Sequence, residues 1–193
     1  MKNQTKLKLR IIKKTMLALE KNQQVHKVSL IDVAAELNIK PEDIYQYFQD
    51  IEEVILNEQI YINKKIENYL TKGLKISKVP DDYKQLLEGC LDLYIEILPD
   101  YANAALAASY YLPECLEERK RAKNFYMGFL RQAIRKGWPG KVKNVVDRQA
   151  ELVLITIYGL YEAVSDKNIS ERKKITADVK NMINLHLQDR LFF

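Results

Sequence analysis

The chain has 193 residues, of which 47% are hydrophobic and 30% are charged, a balance typical of a folded globular protein. Only 6 Gly and 5 Pro are present, which favours long helices over many short strands joined by turns. No apolar run reaches about 18 residues, and the basic N-terminus lacks the apolar stretch of a signal peptide. We therefore expect a cytoplasmic protein without a membrane span, whose two cysteines, Cys90 and Cys115, are reduced and buried.

The formal net charge is +5, and much of the positive charge lies near the N-terminus. Over residues 2–27, eight basic residues stand against a single acid, Glu20. Such a local excess suits contact with a phosphate backbone, and Lys6 and Lys27 are candidate contacts. The same pattern also fits a solubilising helix face or a frayed basic tail.

Hydrophobic periodicity predicts a first helix over about 5–21, followed by a polar stretch. Ser29 can then cap the start of a second helix, and Asp32 suits the positive end of its dipole. The predicted buried stripe of the first helix consists of Leu7, Ile11, Ile12, Met16 and Leu19, and that of the second of Leu30, Val33, Ala34 and Leu37.

A tight turn and a short third helix follow. Asn38 is suited to end the second helix because Asn tolerates the left-handed conformation, and Pro41 can open the third. We expect the inward face of the third helix to consist of Ile44, Tyr45 and Phe48. Two short helices joined in this way predict a helix-turn-helix over residues 29–48. Lys40 and Gln46, polar on its open face, are the leading candidates for base contacts.

The remaining periodicity also predicts helices, separated by breaks at Pro99, Pro113 and residues 137–140. These helices are expected at 50–72, 81–98, 101–112, 114–136, 142–165 and 170–191, with a loop over 73–80. The last two could form a four-helix bundle with a second copy, or could cover the core of one protomer. Their apolar residues are Ala150, Val153, Leu154, Ile157, Tyr158, Leu160, Tyr161 and Val164, and Ile175, Val179, Met182, Ile183, Leu187 and Leu191.

The helix-turn-helix resembles that of the TetR (tetracycline-repressor-like) family. The segment 28–39, VSLIDVAAELNI, is similar to the family's second helix and turn, and 43–48, DIYQYF, is similar to its recognition helix with a Tyr-x-x-Phe pair. The resemblance implies an all-α fold with a DNA-binding domain at 1–49 and a helical effector-binding and dimerisation domain at 50–193. It also implies that Ser29 and Tyr47 contact phosphates. The residues expected to face base edges are Lys40, Pro41, Glu42, Asp43 and Gln46.

Several positions depart from the family pattern. Asn38 stands where Gly is usual, Lys40 where Ser or Thr commonly caps the third helix, and Ile51 where a Lys would contact phosphate. Glu42 and Asp43 place two acids at the start of the presumed recognition helix. Either they accept hydrogen bonds from cytosine amino groups, or they weaken DNA binding and leave it dependent on the basic N-terminal segment.

The resemblance also implies a small-molecule pocket in the C-terminal part, where aromatic residues gather. Aromatic residues at helical spacing are, however, more often part of a plain core than of a pocket. The candidate pocket residues are Tyr94, Tyr110, Phe125, Phe129 and Tyr158.

Motifs for enzymatic chemistry are missing from the sequence. His26 and His186 have no second ligand at metal-binding spacing, and no glycine-rich phosphate loop, GxSxG or CxxC is found. We expect no cofactor and no metal. The sequence therefore favours a homodimeric repressor that binds a double-stranded DNA operator and is released by a small-molecule effector. The alternative is a helical protein-interaction adaptor whose helix-turn-helix has lost strong DNA affinity.

Overall fold

A computed structural model describes residues 2–22, 24–97, 107, 110–164 and 167–188 of the chain. These residues contain helices and no strand, which confirms the predicted all-α fold class. The main helices are α1 (Lys2–Asn22), α2 (Leu30–Leu37), α3 (Pro41–Tyr45), α4 (Ile51–Ile76), α5 (Pro80–Ile97), α6 (Pro113–Gly137), α7 (Lys143–Val164) and α8 (Ile169–Gln188). A single 3-10 turn (Val25–Lys27) precedes α2.

Most helix boundaries lie within two or three residues of the sequence-based predictions, but the loop predicted over 73–80 is too long, since only residues 77–79 separate the two helices. α4 continues to Ile76 and α5 already begins at Pro80. Gly73 of α4 packs against Leu86 of α5. A Cβ atom added at Gly73 would lie 2.1 Å from Leu86 Cδ1. Glycine thus lets α5 pack closely against α4 instead of ending the helix.

The helix predicted over 101–112 falls mainly outside the described residues. At its end, Tyr110 and Tyr111 form a turn before α6. The predicted continuation of the last helix to residue 191 also lies outside them.

The chain divides into two compact units. The first comprises Met1–Ile62 and Tyr101–Lys120 and contains α1, α2, α3 and the beginnings of α4 and α6. Its core is continuous from the predicted stripes of α1 and α2 to the start of α4. The fully or almost fully buried members are Ile11, Ile12, Met16, Leu19, Leu30, Val33, Ala34, Ile44, Phe48, Ile51, Val54, Ile55 and Cys115.

The second unit comprises Asn63–Asp100 and Arg121–Phe193. Its core includes much of the apolar surface of α7 and α8, so the sequence-based alternative that these faces cover one protomer's own core holds for many of the named residues. Those buried are Ala150, Val153, Leu154, Leu160, Val164, Ile183 and Leu187. A buried arginine, Arg172, fixes the connection between the two helices, because its Nε donates to the carbonyl oxygens of Val164 at 3.0 Å and Lys167 at 2.7 Å.

Both cysteines are free thiols and buried, as their sequence context indicated. Cys90 lies in the second unit, where burial raises the pKa of its thiol to about 12. Cys115 lies in the core of the first unit, where burial, aided by nearby glutamates, raises its pKa to about 11. Since the thiolate is the reactive form, both side chains act as small hydrophobic residues in the native protein.

Candidate nucleic-acid interface

The start of α2 is fixed by Ser29, as the sequence predicted. Ser29 has extended backbone angles, and its Oγ accepts a hydrogen bond from the backbone N–H of Ile31 at 3.1 Å. The exposed Lys27 lies two residues before this cap. A positive helix end, a serine hydroxyl and a lysine are therefore adjacent in the chain, a combination that suits a phosphate group.

The turn between α2 and α3 depends on Asn38. Its backbone is left-handed, with φ 54° and ψ 46°, and its N–H bonds to the final carbonyl groups of α2. The next N–H, that of Ile39, donates to the carbonyl oxygen of Ala34 at 3.1 Å. Together these bonds close the C-terminus of α2 and reverse the chain toward α3. The predicted helix end at Asn38 is confirmed.

Asp43 holds the start of α3. Its carboxylate Oδ2 accepts from the backbone N–H of Lys40 at 3.1 Å, and its own N–H donates to the carbonyl oxygen of Lys40 at 3.0 Å. This pair of bonds forms around Pro41, the first residue of α3. Asp43 is half-buried and faces its own helix start, so it contributes a cap as well as a negative charge.

The open surface of α3 consists of Lys40, Glu42, Tyr45 and Gln46, which are all exposed. On the opposite side, Ile44 and Phe48 are almost fully buried, as predicted. The prediction that Tyr45 also faces inward is wrong, because its side chain is 49% exposed. Ile44 and Phe48 are four residues apart and share one face, whereas Tyr45 is rotated by about 100° from Ile44 and leaves the core.

The remaining predicted contacts of this segment, Pro41 and Tyr47, are half-buried. Tyr47 packs against the core of the first unit and keeps part of its surface in solvent. Its ring therefore positions the residue, while its accessible part is available for a contact outside the unit.

The chain after α3 is also tightly fixed. The N–H of Glu53 donates to Asp50 Oδ1 at 2.7 Å, and Glu53 Oε2 accepts from the N–H of Gln49 at 2.8 Å. Ile51, at the position where the family pattern has a Lys, is buried in the core. These bonds join α3 to α4 through a short and well-capped connection.

Not every lysine of the basic N-terminal segment is available for phosphate. Lys8 Nζ donates to Asn57 Oδ1 at 2.8 Å and lies 5.1 Å from the centroid of the Phe48 ring. Lys14 Nζ forms an ion pair with Glu36 at 2.7 Å. The hydrogen bond and positive charge of Lys14 lower the pKa of the Glu36 carboxyl. Lys6 and Lys27, which the sequence suggested as contacts, are both exposed.

The five residues suggested for a small-molecule pocket fall in both units. Tyr110 belongs to the first, and Tyr94, Phe125, Phe129 and Tyr158 belong to the second. Phe129 is buried, whereas the other three of the second unit are half-buried. Phe125 packs edge-on against Tyr126, with ring centroids 5.8 Å apart.

The residues that the structure describes form no helix that is long and apolar enough to cross a membrane. Nor do they bring together three His, Cys, Asp or Glu side chains in a group that could hold a metal ion.

The similarity of this chain to known proteins lies in its fold. No protein-family model matches the chain, and no curated protein matches its sequence. Among solved structures, a transcriptional regulator of the TerR/AcrR family from Aquifex aeolicus is similar with a TM-score of 0.70 at 17% identity, covering 92% of this chain and 98% of that one. PfmR, a TetR-family transcriptional regulator from Thermus thermophilus, is similar with a TM-score of 0.68 at 16% identity, covering 94% and 98%. GusR from Salmonella enterica gives 0.64 at 14% identity, covering 94% and 95%.

These similarities extend over nearly the whole of each chain. The protein therefore has the fold of the TetR/AcrR-family transcriptional regulators, and the resemblance first seen in the helix-turn-helix is confirmed at the level of the fold.

The left-handed turn can be tested by substitution at Asn38. We expect Asn38→Val to lower the free energy of unfolding by about 1–2 kcal/mol, because a β-branched residue is strained at positive φ. Asn38→Gly, the matched control, should change it by less than about 0.5 kcal/mol. Urea unfolding followed by circular dichroism measures both. Equal stability of the Val and Gly variants would contradict the left-handed geometry.

The two neighbouring acids of α3 should differ in their effect on stability. Asp43→Ala removes the bond to the Lys40 N–H and should cost about 1 kcal/mol. Glu42→Ala, one residue earlier on the exposed surface, should cost less than about 0.5 kcal/mol. The same urea titration measures the difference. A larger loss for Glu42→Ala than for Asp43→Ala would show that the cap is assigned to the wrong residue.

Proposed function

We propose that the protein is a DNA-binding transcriptional regulator that acts as a homodimeric repressor and leaves its operator when a small-molecule effector binds. The observation that carries this proposal is the surface of α3. A five-residue helix, capped at its start and anchored by Ile44 and Phe48, is exposed to solvent on its open side together with the residues that flank it. The exposed side chains are those of Lys40, Glu42, Tyr45 and Gln46. A short, rigid helix with polar side chains at its open face is what a major groove about 12 Å wide can accept.

Phosphate contacts are supported by the start of α2. The Oγ of Ser29 acts as an acceptor in the helix cap, so its O–H remains able to donate to a phosphate oxygen. Lys27 and Lys6 are exposed and add positive charge in the same unit. Contacts of this kind fix the register on DNA and carry no sequence information, which leaves base selection to α3.

The two acidic residues at the start of α3 have different roles in this proposal. Asp43 acts mainly as the helix cap, whereas Glu42 is the acid that faces a partner. Glu42 can accept from a cytosine amino group, or it can repel phosphate and lower the affinity. In the second case the helix-turn-helix would serve a protein-interaction adaptor, so the effect of Glu42→Gln on DNA binding separates the two functions.

Regulation by an effector is supported by the path of α4. This helix begins in the core that anchors α3 and ends in the second unit. We assign DNA binding to residues 1–49 and effector binding and dimerisation to residues 50–193. We also propose that the protein acts in the cytoplasm. Coupling between effector and DNA is reciprocal, so each must weaken the binding of the other by the same factor.

Dimerisation is supported by apolar side chains that the second unit leaves in solvent. Leu152 and Ile155 are exposed on α7, and Met182 and Leu185 are exposed on α8, with Leu185 reaching 68%. In each helix the two residues are three positions apart and lie on one face. A second copy related by a two-fold axis would bury them against the same surface of its own helices.

DNA binding can be tested by fluorescence anisotropy with duplexes from upstream of the protein's own gene. We expect salt-sensitive binding of these duplexes. Lys40→Ala and Gln46→Ala should each weaken it about tenfold, since one good base contact contributes about 1–3 kcal/mol. Lys75→Ala, which removes an exposed lysine at the other end of α4, is the matched control and should bind normally.

If no duplex binds even at low salt, the regulator proposal fails. Equal affinity of all three variants would instead show that DNA is bound by another surface. Glu42→Gln should weaken binding if Glu42 reads cytosine. A gain of tenfold or more would favour a helix-turn-helix that has lost DNA affinity.

The dimer can be tested by sedimentation at micromolar concentration. The native protein should sediment with twice the 22.6 kDa mass of one chain. Leu185→Glu should shift it to the single-chain mass, because a carboxylate would be buried at the two-fold contact. Val142→Glu, at an exposed valine outside α7 and α8, is the control and should remain dimeric. A native protein of 22.6 kDa would contradict the proposed interface.

A further inference from the structure

We propose that Gln59, Arg119 and Tyr110 form the effector site and that its ligand is a small carboxylic acid carrying an N–H or O–H donor. All three residues belong to the first unit. The regulatory role of this ligand rests on the proposed function. The site and the ligand chemistry follow from the contacts of these side chains alone.

Two buried polar atoms at this place lack partners. Arg119 Nη1, a donor, and Gln59 Oε1, an acceptor, are buried and make no hydrogen bond within the described part of the chain. A buried polar atom without a partner costs roughly 1–3 kcal/mol, and more when the group is charged. Native proteins rarely retain such atoms unless a ligand, ion or water completes them.

Gln59 and Arg119 both lie beside Cys115. Gln59 Nε2 donates to the backbone carbonyl oxygen of Cys115 at 3.3 Å. Arg119 follows Cys115 by one turn of α6, and its charge acts on the Cys115 thiol. The amide orientation of Gln59 is physically required, because the opposite orientation would place its oxygen against the carbonyl oxygen of Cys115. The side chains that carry the unpaired acceptor and the unpaired donor therefore both lie beside Cys115.

Tyr110 holds the guanidinium in place. Arg119 Cζ lies 4.1 Å from the centroid of the Tyr110 ring, at a distance suited to a cation–π interaction. The ring reduces the freedom of the arginine before any ligand arrives. A pre-positioned guanidinium with an open N–H binds a carboxylate more strongly than a flexible one, because less side-chain entropy is lost on binding.

The ligand chemistry follows from these two atoms. Arg119 Nη1 requires an acceptor, and its positive charge favours a carboxylate over a neutral carbonyl group. Gln59 Oε1 requires a donor on the same molecule, such as a hydroxyl or an amino group. Small hydroxy acids and amino acids satisfy both requirements, whereas their primary amides lack the negative charge.

The position of the site connects it to the DNA-binding surface. Cys115 is part of the core that contains Ile44, Phe48 and Ile51, and Gln59 lies two turns along α4 from Ile51. A ligand donor on Gln59 Oε1 polarises the amide and strengthens the bond from its Nε2 to the Cys115 carbonyl group. This change acts directly on the packing of α4 and α6 behind α3.

The test uses the full-length protein and a panel of small hydroxy acids and amino acids, each paired with its primary amide. Thermal-shift screening followed by calorimetry measures binding. At least one acid should bind, and its amide should bind at least tenfold more weakly. Arg119→Met should weaken the acid about tenfold to a hundredfold, which corresponds to loss of one charge-assisted hydrogen bond. Lys120→Met, which removes the next positive charge of α6, is the control and should bind normally.

A second variant keeps the test decisive if Arg119→Met does not fold. Gln59→Leu should weaken acids that carry a donor about tenfold and leave the corresponding acids without a donor unchanged. Equal binding of acid and amide would overturn the assignment. So would equal weakening by Arg119→Met and Lys120→Met, or binding by no member of the panel.

Failure of this assignment can be distinguished from failure of the proposed function. DNA binding by the ligand-free protein, with no binding of any acid, would remove the site and leave the regulator. Acid binding that depends on Arg119, without binding of any duplex, would retain the site and remove the regulator.

Discussion

The left-handed backbone at Asn38 sets the direction in which the chain leaves α2 and enters α3. A helix of five residues cannot hold its own orientation in water, because so few backbone bonds do not offset the entropy of ordering it. Its orientation comes instead from the turn on one side and from Ile44 and Phe48, buried in the core, on the other. These two anchors therefore fix the positions of the exposed side chains of α3.

Local hydrogen bonds and ion pairs explain how an acidic segment can belong to the proposed DNA-binding surface. A net count of charges places two acids at the start of α3, but the Asp43 carboxylate accepts from the Lys40 N–H and stabilises the helix start. Two of the basic side chains are also engaged within the protein. Lys8 binds Asn57, and Lys14 forms an ion pair with Glu36. The electrostatic surface offered to a partner is therefore smaller and more specific than the sequence composition indicates.

Much of the fold could be predicted from the sequence, because caps and periodicity act locally. Ser29, Asn38 and Pro41 correctly predicted both limits of α2 and the start of α3. The failures arose where tertiary contacts decide. Tyr45 lies beside the buried stripe of α3, and only the position of the core shows that it faces solvent. Glycine is typical of a helix break, but Gly73 lies inside α4, where its missing side chain leaves room for Leu86. The unpaired atoms of Gln59 and Arg119 depend on packing across two helices and have no sequence signature.

We propose that the segment from the start of α2 to the end of α3 meets DNA as one preformed surface. Hydrogen exchange with mass spectrometry, with and without a bound duplex, measures this most directly. We expect bound DNA to slow exchange over residues 28–49 while α5 and α8 remain unchanged within error. Tight DNA binding without any slowing over residues 28–49 would contradict the claim.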